Sequence, residues 1–148
     1  MEQHHTNRLL LIEKVLVLKS LSLFKNTPEN ILADLAPLMQ EIAFEQGVEI
    51  FKEGETGDSM YIIQQGVIRI HKGETTLATL KEKEVFGELS LLDADTRSAT
   101  ATAVTDCNLY KIDQEPFYEL LDERPEVAIG FIKILSHRLR AMNDRSIQ

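Results

Sequence analysis

The segment Gly87–Thr100, GELSLLDADTRSAT, interrupts a region of short apolar runs and decides how that region is read. LSLL has a glycine before it and an Asp-rich loop after it, which fits one short helix better than a strand. Such a helix presents unpaired N–H groups at its start, and a glycine there lets another group approach the backbone without a Cβ in the way. Arg97 adds a fork of charged donors, and Glu88 adds an acceptor suited to a hydroxyl. The segment therefore has the elements of a seat for a small anion that also carries hydroxyl groups.

Working outward, the stretch from Glu41 to Ile112 reads as β structure with turn punctuation. Its runs are EIAFEQ, VEIFKEG, SMYIIQQ, VIRIHKG, TLATLKE, SATATAVT and NLYKID. Gly47, Gly54, Gly57, Gly66 and Gly73 stand between or beside them, where turns often require positive φ. Short strands at this spacing indicate a sandwich, jelly roll or barrel. Helices flank the β region. Thr6–Ser20 is densely apolar without Gly or Pro, and SLFKNTPENILADLAPLM follows as a turn and a second helix, with Thr27 as cap and Pro28 at its first position. Residues 1–5, MEQHH, are expected to form a disordered start. Beyond the strands, Asp113 can cap QEPFYELLDER, and Pro125 can open EVAIGFIKILSHRLRAM. On that last helix Ile132, Leu135, Leu139 and Met142 form one apolar stripe.

Composition narrows the function. With 148 residues, 43% hydrophobic and 27% charged, the chain is long enough for one core. Its net charge of −8 opposes binding to a nucleic-acid backbone. The one cysteine, Cys107, excludes an internal disulfide and suits a small buried residue in a reducing, cytoplasmic setting. The most apolar stretch, Leu9–Leu18, is shorter than the ~20 residues of a membrane span, so no membrane insertion is expected. Of His4, His5, His71 and His137 only His71 falls in the β region, as a solvent-facing strand residue. No metal-ligand cluster and no nucleophile–base pair stands out, so the chain is read as a binding protein rather than an enzyme.

FGELSLL followed by RSAT resembles the phosphate-binding cassette of the cyclic-nucleotide-binding domain family, which includes protein kinase A regulatory subunits, gated channels and catabolite activator protein. GETGDSMYIIQQGVIRI is similar to that family's glycine-punctuated strand pair, and SLFKNTPENILADLA to its N-terminal helical motif. The resemblance covers roughly residues 20–142. It implies a mainly β fold: an eight-stranded antiparallel jelly-roll barrel with N-terminal helices, a short phosphate-binding helix and two C-terminal helices. The implied domains are a tail and helix at 1–20, the binding domain at 21–142 and a tail at 143–148.

The resemblance also implies roles. Glu88, with the Gly87 backbone, matches the acid that binds the ribose 2′-hydroxyl. Arg97 matches the arginine that pairs with the cyclic phosphate, and Ser90 and Ser98 match positions whose N–H groups reach that phosphate. Leu89 and Ala99 belong to the same cassette. Ile70 and Leu80 match barrel residues near the purine, and Met142 and Asn143 fall near the base-capping positions. Gly54, Gly57 and Gly66 are read as turn glycines without ligand contact. A hydroxyl residue directly after the arginine, here Ser98, leaves cAMP against cGMP open, with cAMP favoured. The implied ligand is thus cAMP or cGMP, with no cofactor.

Roughly ten residues follow Leu139, too few for a helix-turn-helix domain, so no nucleic-acid partner is expected of the chain as given. Other readings stay open. Glu88 and Arg97 can be a plain surface ion pair. The fold can also persist with an empty pocket, as a dimerisation or docking module of a larger, membrane-associated protein. The N-terminal and C-terminal helices are the surfaces expected to meet a second copy or a neighbouring effector domain.

Overall fold

The run SMYIIQQ carries no glycine, proline or charge, and it forms the centre of a sheet rather than its edge. In the computed structural model, which describes residues 2–147 and the side chains of 10–144, this run is a strand, Ser59–Gln65, paired on both sides and buried over its first five residues. In chain order the strands are β1 (Gln40–Phe44), β2 (Glu49–Phe51), β3 (Thr56–Gly57), β4 (Ser59–Gln65), β5 (Ile68–Lys72), β6 (Thr75–Leu80), β7 (Val85–Phe86), β8 (Asp95–Thr96), β9 (Thr100–Ala103) and β10 (Cys107–Asp113). Two four-stranded antiparallel sheets, ordered β1-β10-β4-β7 and β2-β9-β5-β6, supply the eight strands of the expected jelly roll. A separate two-stranded ladder, β3-β8, pairs Thr56 with Thr96 and Gly57 with Asp95.

The chain comprises two compact units, residues 38–117 and residues 1–37 with 118–148. In the first, Tyr61, Ile63, Ile68, Phe86, Ala101, Ala103, Cys107 and Leu109 form the buried cluster between the sheets. Small residues on β9 face large ones on β4 and β10, which lets the two sheets fill the space between them. Cys107 is buried, as its sequence setting indicated. His71 is not solvent-facing: it is half-buried, its Nδ1 lies 2.7 Å from the Gly73 carbonyl and its Nε2 2.7 Å from Thr102 Oγ1. A register shift between Ile70 and His71 accompanies these bonds.

The second unit is helical. It contains α1 (Glu2–Ser20), α2 (Glu29–Leu35) and α5 (Pro125–Ile147), while α4 (Gln114–Glu123) begins in the first unit. Leu18, Leu21, Phe24, Leu32, Leu35, Val127 and Phe131 are buried, and Phe24 meets Phe131 edge to face with centroids 5.8 Å apart. Gly130 sits where a Cβ would come within 2.9 Å of Ile31 Cδ1. Arg124, between α4 and α5, bonds Glu126 and reaches Asp34 of α2 at 3.3 Å.

Several helix boundaries differ from the sequence reading. Residues 2–5 are the first turn of α1 rather than a disordered start, and Met1 lies outside the described residues. Pro28 is the N-cap of α2, not its first helical residue: its ψ of 145° is extended, and no side chain, Thr27 included, caps the helix. Pro125 does open α5, which continues through Ile147, so residues 143–147 are helical. Asp113 precedes α4, and its carboxylate accepts bonds from Ser59 Oγ at 2.7 Å and Gln40 Nε2 at 3.4 Å.

Leu109 lies on β10, is paired on both sides and is fully buried. Leu109→Ala removes its contacts with both sheets, so chemical denaturation should show a loss of about 2–5 kcal/mol of stability.

Candidate functional site

The Gly87–Thr100 segment does form a short helix, α3 (Glu88–Leu92), between β7 and β8. Gly87 is its N-cap at φ 77°, in the left-handed region, and the fold needs a glycine there for two reasons. Besides the backbone conformation, a Cβ at 87 would lie 2.7 Å from Arg97 Nη1 and 2.8 Å from the Ser59 carbonyl oxygen. Gln114 Nε2 donates to the Ser90 and Leu91 carbonyls at 3.4 and 3.2 Å, serving carbonyls that so short a helix leaves open.

Arg97 is held by both its backbone and its side chain. Its N–H donates to the Glu55 carbonyl at 2.7 Å, and its carbonyl accepts from Gly54 N–H at 2.9 Å. These bonds extend the β3-β8 ladder by one step. From there the guanidinium runs inward: Nη1 donates to Ser90 Oγ at 3.0 Å and Nη2 to the Ser59 carbonyl at 2.9 Å. Its Cζ lies 4.1 Å from the centroid of the Phe51 ring. Only 7% of the residue is exposed, and no ion pair joins Arg97 to a carboxylate among the described residues. Burial pulls its pKa below the ordinary value, while Tyr61, Asp58 and Glu55 act in the opposite direction. Nε is buried without a hydrogen-bond partner. The guanidinium is therefore a buried cation bonded to neutral acceptors, not half of a surface ion pair.

Beside it is a cavity of about 640 Å³, within the range of small-molecule sites, roughly 300–1,000 Å³. The structure brings Ile70, Gly87, Glu88, Leu89, Ser90, Arg97, Ser98 and Ala99 together on its walls. Leu80 is not among the lining residues: it pairs with Ile68 and packs against the barrel core. Met142 and Asn143 lie on α5 in the helical unit, and Met142 is 61% exposed. The sequence reading had given no place at the ligand to Phe51, Val85, Phe86, Asp93, Asp95 and Thr96, which also line the cavity with Leu92. Phe51 had shown only an apolar character already absorbed into a strand assignment, Val85 and Phe86 were two apolar residues without a period, and the polar lining residues had shown only a loop.

Gly57 corrects the sequence reading more sharply. Gly47, Gly54, Gly66 and Gly73 have positive φ, but Gly57 does not. What requires a glycine at 57 is clearance, because a Cβ there would overlap Arg97 Nε and Cζ. Phe86 and Tyr61 stack with centroids 5.1 Å apart, and Phe51 completes the cluster at 5.9 Å from Phe86.

The fold and site define a jelly-roll domain whose short helix and buried arginine face one pocket. Residues 41–124 match the family described as the cyclic nucleotide-binding domain, and the chain belongs to that family. It is similar to a CRP-like cAMP-activated global transcriptional regulator of Mycobacterium tuberculosis, 29% identical over 86% of this chain and 59% of that protein. It is also similar to the cyclic AMP receptor protein of Thermus thermophilus, 40% identical over 76% of this chain and 54% of that protein. The chain thus spans little more than half the length of these relatives. Among solved structures, the N-terminal domain of a transcriptional regulator from Streptomyces coelicolor superposes with a TM-score of 0.78 at 34% identity, over 87% of this chain and 93% of that one. No helix among the described residues is long and apolar enough to cross a membrane.

Two predictions follow from the packing at Arg97. Gly57→Val fills the space occupied by its guanidinium and should preserve the far-UV circular dichroism spectrum while displacing the side chain, seen as a shifted Arg97 Nε–H resonance. Burial raises the Tyr61 pKa above the ordinary phenol value of 10.0, so the unfolded chain loses that proton first. Stability should fall as the pH rises through that value. In Tyr61→Phe this part of the alkaline loss, and the late step in the ultraviolet titration of tyrosinate, should both be absent.

Proposed function

We propose that this chain is a regulatory sensor domain that binds a cyclic purine mononucleotide, cAMP in preference to cGMP, and catalyses no reaction. The observation that carries this reading is the buried guanidinium of Arg97, which has no carboxylate partner among the described residues and stands at the wall of a cavity of ligand size. A desolvated cation whose hydrogen bonds go only to neutral acceptors, with Asp58 and Glu55 acting on it only through space, has no ion-pair partner of its own. A cyclic phosphate carries one negative charge, and Arg97 can meet it with charge-assisted hydrogen bonds. Glu88, the first residue of α3, is assigned the ribose 2′-hydroxyl, with the Gly87 backbone beside it. The backbone N–H groups of Ser90 and Ser98 are assigned to the phosphate. Ile70, Leu89 and Ala99 offer apolar surface to the sugar and purine. Leu80, half-buried on β6, keeps its assignment near the purine only if the ligand reaches deeper than the cavity wall. The preference for cAMP rests on the cAMP-linked names of the bacterial relatives, and Ser98 is compatible with either base.

In the same reading, α5 closes over the bound purine with Met142 and Asn143, and the cassette draws inward as Arg97 takes the phosphate. Closure driven by ligand requires differential affinity for the closed state; a 100-fold difference supplies about 2.7 kcal/mol. Residues 21–142 form the sensing domain, in the cytoplasm. Its output passes through the apolar side chains that α1 and α5 expose, Leu16 and Leu139 among them, to a second copy or an effector domain.

Isothermal calorimetry on protein unfolded and refolded to remove retained ligand tests the assignment. The wild type should bind cAMP saturably and more tightly than cGMP. Arg97→Ala should weaken cAMP binding by about 10–100-fold, the scale of a lost charged hydrogen-bond pair, and Glu88→Ala by a smaller factor. Absence of binding by folded, empty wild type at millimolar nucleotide would leave the empty-pocket docking module as the reading.

A further inference from the structure

We propose that Phe51 is a positioning residue for the phosphate-binding arginine, its ring face being the platform on which the Arg97 guanidinium is laid out before any ligand arrives. The inference rests on the reading of Arg97 as the phosphate contact, and it adds a residue that this reading does not use.

Arg97 is almost wholly buried, and its guanidinium hydrogen-bonds to a serine hydroxyl and a backbone carbonyl. Neither carries a charge, and the carboxylates of Asp58 and Glu55 act on the guanidinium through space without forming an ion pair with it. Beyond these bonds the guanidinium lies over the π face of Phe51, its centroid 4.1 Å from Arg97 Cζ, whose quadrupole presents negative density to the cation. This attraction is strongest where water is excluded. The depression of the Arg97 pKa by burial agrees with such a setting.

The platform is itself held in place. Phe51 packs in tilted contact with Tyr61 at 6.1 Å and Phe86 at 5.9 Å, and those two rings stack on each other at 5.1 Å. The phenyl group therefore cannot swing aside without disturbing two more aromatic side chains. Gly57 supplies the clearance by which the guanidinium reaches its place over the ring. The backbone bonds to Gly54 and Glu55 fix where the Arg97 side chain starts, while Phe51, Ser59 and Ser90 fix where it ends. An arginine fixed at both ends loses less side-chain entropy when it meets a phosphate. A leucine at 51 keeps apolar bulk but presents no π face, so it separates packing from cation–π support.

The test has two arms. In the empty protein, the Arg97 Nε–H resonance should be displaced by the ring current and protected from exchange in the wild type and in Phe51→Tyr. In Phe51→Leu it should move toward the position of an exposed arginine while the thermal midpoint stays close to that of the wild type. In the second arm, calorimetry with cAMP should show about tenfold weaker binding for Phe51→Leu and near-wild-type binding for Phe51→Tyr. The same Phe51→Leu change made in Arg97→Gln should cost no further affinity, because its effect runs through the guanidinium. An undisplaced Arg97 resonance in the wild type would overturn the proposal. So would equal losses in Phe51→Leu and Phe51→Tyr, or a full additional loss in the Arg97→Gln background, since the ring would then act on the ligand itself. If the wild type binds no cyclic nucleotide, the functional reading fails, and the resonance arm still decides whether Phe51 seats Arg97.

Discussion

The burial of one arginine side chain governs the organisation of the β unit around α3. A guanidinium cannot be taken out of water without replacements for its hydration, and at Arg97 these come from separate parts of the chain. The Ser59 carbonyl comes from β4, Ser90 Oγ from α3 and the Phe51 ring from β2. Two glycines, Gly57 and Gly87, are fixed by the same requirement, because a methyl group at either position would enter the space the guanidinium occupies. The two-residue strands β3 and β8 are too short to pair usefully by themselves, and the Arg97 backbone bonds to Glu55 and Gly54 lengthen their ladder. Removing the charge would thus leave these features without a common purpose.

Membership of the cyclic nucleotide-binding family gives this arrangement its context. The fold by itself would not identify a function, since the same kind of barrel serves many purposes. What distinguishes this one is the conjunction of a small cavity, an acid at the first position of the helix beside it, and a cation bonded only to neutral partners.

Local chemistry explains which features were legible in the sequence. The helix at ELSLL, the strand runs and the glycines at 47, 54, 66 and 73 follow from periodicity and turn preference within a few residues. The strands β3, β7 and β8 escaped notice because two residues cannot show a period. The start of α1 escaped because MEQHH has no apolar pattern, although it is continuous with a helix that does. At Gly57 composition misled: GETG looks like a turn, but the constraint comes from a side chain forty positions away. Phe51 was hidden for the same reason. Its place in VEIFKEG shows a strand residue, and only the fold brings Arg97 over its ring.

The backbone clasp at Arg97 has a mechanical consequence. The segment from Gly87 to Arg97 is a loop pinned at both ends, at one by β7 pairing with β4 and at the other by the bonds to Glu55 and Gly54. Between those ends α3 is bonded to Arg97 through Ser90 Oγ and to Gln114 through the Ser90 and Leu91 carbonyls, which opposes sliding along its axis. A roll of α3 about the line joining those ends exchanges what its two sides show. Leu89 faces out and Leu91 faces in, so a small rotation trades one leucine's exposure for the other's burial. In the proposed reading the cassette acts less like a door than like a cam, converting a change at Arg97 into a change in the profile of one short helix.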